Sequence, residues 1–108
     1  MMNDKNIYEE LFPKRLYELR NIKGVSARDM SLSIGQNPGY INNIESGKAL
    51  PSMSSFFYIC EYLNISPVEF FDIESHDPEK LRDLISNLKR LSIDQIGYIS
   101  ALVGDIIR

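Results

Sequence analysis

The chain has 108 residues, enough for one domain with a short appendage, and its 44% apolar and 25% charged residues exclude extensive disorder away from the ends. One cysteine, Cys60, excludes an intramolecular disulfide, and with a single histidine, His76, it cannot build a zinc site. The net charge of −3 runs against the overall basicity usual in nucleic-acid binders.

Helix-start devices recur along the whole sequence, and strand signals are lacking. The pattern predicts an all-α chain with helices near 8–22, 26–34, 37–46, 53–64, 66–72, 77–90 and 92–107. Pro13 obscures the start of the first. Ser26 stands three residues before Asp29 in a near capping box, while Ser66 with Glu69 and Ser92 with Gln95 fit that box closely. Asn37, Ser66 and Asp77 each precede a proline, the pattern of a cap before the first helical residue, and Ser52 can cap the fourth helix. Gly24, Gly35 and Gly47 stand where helices should stop.

The first five helices are too short to be stable singly and must share one core. Helical spacing assigns to it Leu16, Leu19, Ile22, Met30, Ile34, Ile41, Ile44, Phe56, Ile59, Cys60, Leu63, Phe70 and Phe71. Composition shifts after Asp72: residues 73–77 read as a polar connector, with His76 solvated, so the boundary is set at 73 and residues 74–108 form a second element. Its first helix carries Leu81, Leu84, Ile85, Leu88 and Leu91 on one stripe, and the two helices should form an antiparallel hairpin. The last helix spreads its apolar residues over nearly half its circumference. If the preceding helix covers Ile93, Ile96 and Val103, then Ile99, Leu102 and Ile106 stay wet, which predicts a homodimer through that face.

Between Val25 and Lys48, a helix of about nine residues, a three-residue turn and a second helix have the spacing of a helix-turn-helix. Any two-helix corner shares that spacing. Residues 14–48 also hold six basic side chains against three acidic ones, a local excess of +3 in an otherwise acidic chain.

Several groups in this region resemble the Cro and lambda-repressor-like helix-turn-helix regulators, also called the xenobiotic-response-element family. They are Arg15-Leu16 with Leu19-Arg20, Lys23-Gly24-Val25-Ser26, Met30 with Ile34-Gly35, Tyr40-Ile41 with Ile44-Glu45, and Gly47-Lys48. Pro51-Ser52, Phe56 with Ile59-Cys60 and Leu63, and Ile65-Ser66 with Glu69-Phe70-Phe71 continue the match, which covers about residues 12–72. The resemblance implies a five-helix domain whose third helix, 37–46, enters the major groove of double-stranded DNA. It places Pro38, Gly39, Asn42 and Asn43 at base edges, where asparagine can pair with adenine, and Ser26, Ala27, Arg28, Asn37, Tyr40 and Lys48 at phosphates. It also implies a structural ion pair between Arg20 and Glu45.

The sequence departs from the family where a phosphate-gripping glutamine is replaced by Ala27, and its third helix holds no Lys or Arg. Few cationic contacts predict weak monomeric binding with a shallow salt dependence, which two domains in a dimer would offset. The leading expectation is a dimeric transcriptional regulator of repressor type in the cytoplasm. The alternative is a protein-interaction module that has lost DNA binding. No enzyme, cofactor, metal or small-molecule ligand is expected, since no phosphate loop or nucleophile–base pair is present. No stretch approaches the roughly eighteen apolar residues of a membrane span, and residues 1–10 lack a signal-peptide core.

Overall fold

The computed structural model describes residues 6–108. The reading of the extreme N-terminus therefore lies mostly outside the described residues. Seven helices and no strand occur among them: α1 Ile7–Lys23, α2 Ala27–Ser33, α3 Tyr40–Glu45, α4 Met53–Leu63, α5 Pro67–Phe71, α6 Pro78–Leu88 and α7 Ile93–Ile107. None is long and apolar enough to cross a membrane. The chain divides into two compact units, one ending at Pro78 and one spanning Glu79–Arg108.

Side-chain caps start most of these helices. Asn6, Ser26, Ser52, Ser66 and Ser92 each accept a backbone N–H from the first turn they precede, and Ser66/Glu69 and Ser92/Gln95 form complete capping boxes. α1 runs straight through Pro13. The ring removes one backbone donor there, but neighbouring Phe12 is anchored among aromatic partners, 4.8 Å from the Phe70 ring and 5.6 Å from that of Phe56. α4 ends at Asn64, whose φ of 58° is the left-handed cap that asparagine tolerates in place of glycine.

Phe12, Leu16, Leu19, Met30, Ile41, Ile44, Phe56, Ile59, Cys60, Leu63, Ile65 and Phe70 form the core of the first unit. Two expected members, Ile22 and Phe71, are exposed, and Ile34 is half-buried. Steps of three residues drift around a helix, so Ile22 has rotated off the face shared by Phe12, Leu16 and Leu19. Phe71 is the final residue of α5 and touches the cluster by one side, its ring 5.5 Å from that of Phe56. The Cys60 thiol is sealed in this core, and burial pushes its pKa up to about 11. It is inert packing.

Phe12 and Ile65 join the core without having been expected there, and Arg15 is an unexpected buried charge. Its guanidinium is buried and donates from Nε to the Phe70 carbonyl at 2.6 Å and from Nη2 to the Glu69 and Asp72 carbonyls at 2.9 Å each. It thus supplies donors to the carbonyls that a short helix leaves open at its C-terminus. Nη1 reaches Glu18 Oε1 at 2.6 Å, and Glu18 Oε2 lies 2.7 Å from His76 Nδ1. Burial pushes the Glu18 carboxyl up, but these bonds and charges outweigh it and hold its pKa below the ordinary value. Segment 72–77 is thereby tied to α1. His76 is exposed, as expected of a connector, but it is engaged rather than only solvated.

In the second unit no residue of α7 is buried. Ile93, Ile96 and Val103 were expected under the preceding helix, yet all three are exposed. Ile93 is the first residue of α7, directly after the Ser92 cap, where little chain is available to cover it. Ile99, Leu102 and Ile106 are 39%, 56% and 71% exposed. Apolar surface is therefore open around α7 rather than confined to one strip.

Candidate nucleic-acid interface

α2 and α3 have seven and six residues and cannot hold their shape unaided. They are fixed by a corner. The Gly35 N–H donates to Leu32 O at 3.0 Å and the Gln36 N–H to Ser31 O at 2.9 Å, with Gly35 at a φ of 78° that glycine adopts without strain. Met30 from α2 and Ile41 and Ile44 from α3 are buried together in the core cluster.

α3 starts at Tyr40, later than the expected 37. Asn37 does not cap a helix; its side-chain oxygen accepts the Gly39 N–H at 3.1 Å, two residues on, and its carbonyl accepts the Tyr40 N–H at 3.1 Å. That is a turn, and asparagine before proline serves it as well as it serves a cap. Pro38 and Gly39, expected at base edges from within the helix, accordingly lie in the turn before it, both exposed.

The other candidate residues separate by burial. Asn42 and Asn43 are exposed on α3, on the opposite side from buried Ile41 and Ile44. Arg28 on α2 and Lys48 just past α3 are exposed, and the Lys48 N–H donates to Asn43 O at 2.9 Å, which fixes where its side chain departs. Ser26 Oγ accepts the Asp29 N–H at 3.0 Å and so is committed as the α2 cap. Ala27 and Tyr40, both expected at phosphates, are half-buried and packed against the core.

α1 steadies α3 from behind. Arg20 Nε and Nη2 donate to Glu45 Oε2 and Oε1 at 2.7 and 2.9 Å, a two-pronged pair, while Nη1 donates to Val25 O at 2.8 Å. The bond to Glu45 raises the Arg20 pKa above its already high ordinary value. Both side chains are nearly enclosed, 11% and 9% exposed. One guanidinium thus joins α1, the loop before α2 and the last residue of α3.

Of the six cations in 14–48, Arg15 and Arg20 are turned inward, leaving Lys14, Lys23, Arg28 and Lys48 exposed. Lys23 Nζ lies 5.3 Å from the centre of the Tyr62 ring. Sequence reasoning missed two buried polar residues here, Arg15 and Ser31. Both could have been found as polar side chains in phase with an apolar stripe, beside Phe12–Leu16–Leu19 and Met30–Ile34 respectively. Among the described residues no group of three His, Cys, Asp or Glu side chains could hold a metal ion.

The model of the helix-turn-helix domain family matches residues 14–75, more than half of the chain and the span that contains α2, its corner and α3. No curated protein and no solved structure matches the chain.

Proposed function

Because this chain belongs to the helix-turn-helix domain family, we propose that it is a sequence-specific DNA-binding regulator of the Cro and lambda-repressor-like type, a cytoplasmic repressor and not an enzyme. The observation that carries this reading is the face of α3. Asn42 and Asn43 are exposed on a helix whose other side is locked by Ile41, Ile44 and the Arg20–Glu45 pair, with Arg28 and Lys48 exposed nearby in sequence. Asparagine reads adenine by a two-pronged bond to N6 and N7, and the cations meet phosphate without regard to sequence.

Selection of bound fragments from a random double-stranded DNA library tests the reading. A shared, two-fold symmetric motif is the expected result; recovery of unenriched DNA at low salt overturns it. On the selected site, Asn42→Ala and Asn43→Ala should each leave the melting temperature unchanged and relax preference at one base pair, by about 1–3 kcal/mol for a lost two-pronged contact. Binding by both variants indistinguishable from the parent removes these residues from the reading face.

The protein acts as a homodimer through α7 in this proposal. Few exposed cations per domain predict weak single-site binding, and two-fold symmetry would set two reading helices roughly 34 Å apart, one turn of DNA. The open apolar surface of Ile99, Leu102 and Ile106 supports it, since soluble monomers seldom leave such patches wet. Light scattering at micromolar concentration should give twice the chain mass of 12.4 kDa, and Leu102→Lys should return it to one chain. A monomeric parent rules out this assembly.

The absence of Lys and Arg from α3, with Glu45 at its end, favours the second reading, a protein-docking helix-turn-helix. Failure of the DNA selection with an intact fold would move the proposal there.

A further inference from the structure

α3 begins without a side-chain cap of its own. Gly39, the residue before it, has nothing to offer, and the oxygen of Asn37 is taken by the Gly39 N–H. The Ile41 N–H belongs to the first turn, where no intrahelical acceptor exists, and it points into the buried joint between the two helices. An unpaired amide there would be costly. Its acceptor comes from the other helix: Ser31 Oγ, at 3.0 Å.

Ser31 is 0% exposed, which is uncommon for serine. Its hydroxyl proton goes to the Ala27 carbonyl at 2.7 Å, one turn back on α2. Within a helix that backward bond is of little benefit by itself. Here it fixes the hydroxyl as an acceptor toward α3. Apolar contacts between Met30 and its neighbours hold the helices together without choosing a register, whereas a hydrogen bond of this kind selects one distance and one direction.

We propose that Ser31 is the positioning residue of the reading helix: its hydroxyl acts as an N-cap supplied from α2, setting where α3 starts and how it is carried. The DNA consequence rests on the function proposed above, but the anchoring does not need DNA to be tested.

Amide hydrogen exchange on the full chain reads the anchor directly. In Ser31→Ala, exchange at Ile41 should quicken by about tenfold relative to Ile59 in α4, one hydrogen bond of local protection; a general loss of stability would quicken both alike. Ser31→Cys, close in volume with a weaker acceptor, should fall between parent and alanine, and it carries the test if the alanine variant does not fold. On a fragment selected by the parent, at a temperature where the variants are fully folded, Ser31→Ala should bind about tenfold more weakly. The salt slope should not change, because phosphate contacts are not removed. Unaltered relative exchange at Ile41 overturns the proposal, and quickened exchange with undiminished DNA binding overturns the positioning role. Quickened exchange in a protein whose parent selects no DNA upholds the anchor and overturns the DNA reading instead.

Discussion

Arg15→Ala should cost on the order of 3–5 kcal/mol of folding stability, from lost packing and lost hydrogen bonds together. The guanidinium joins three backbone carbonyls at the end of α5 to the Glu18 carboxylate, and its side chain is almost wholly enclosed. Alanine takes from the Phe70 carbonyl a donor worth about 1–3 kcal/mol if that carbonyl stays dry, while the Glu69 and Asp72 carbonyls lose one bond each and keep the backbone N–H groups of Asp72 and Ser75. It also releases the carboxyl end of α5 from α1. Arg15→Met separates the two contributions, because it fills much of the space and donates nothing. Urea unfolding should show the methionine variant recovering less than half of the loss. Recovery to within about 1 kcal/mol of the parent would show that Arg15 acts by bulk and that water serves those carbonyls well enough. Because the same bonds hold segment 72–77 against α1, proteolysis within that segment should also be faster in both variants.

The helices were legible in the sequence because their start signals are local. A serine three residues before a glutamate or glutamine needs no distant partner, and both complete capping boxes appear where that spacing put them. The core of the first unit was legible for the same kind of reason, since phase along a helix assigns most of its members. What failed was whatever depends on a partner far along the chain. Arg15 counted as surface charge because nothing near it in sequence shows that α5 will bring it three carbonyls. Asn37-Pro38 fits a helix cap and a turn equally, and choosing between them takes knowledge of where α3 is held. Ser31 holds it, ten residues upstream of the amide it receives. Two of the six cations in 14–48 serve the interior, but each is paired with a carboxylate of the same span, Glu18 or Glu45, so the excess of +3 stands and is carried by Lys14, Lys23, Arg28 and Lys48 against Asp29. The exposed face of α3, with Asn42 and Asn43 opposite Ile41 and Ile44, follows from helical period alone.

Arg20→Ala should likewise destabilise by about 3–5 kcal/mol, the range for stranding a buried charge. Glu45 is the last residue of α3, where a carboxylate already faces the negative end of the helix dipole, and only 9% of its side chain is exposed. Without Arg20 it must take up water, which pulls the end of α3 outward, or bind a proton. The Val25 carbonyl loses its donor as well. A paired substitution decides which effect is larger. If the stranded charge dominates, Arg20→Ala with Glu45→Ala should be more stable than Arg20→Ala alone, since the second change removes the group left without a partner. If the double variant is instead the less stable, the lost packing and the Val25 bond carry the cost. An unchanged melting temperature in Arg20→Ala would mean that α3 is held in place by its apolar face and by Ser31 without help from α1.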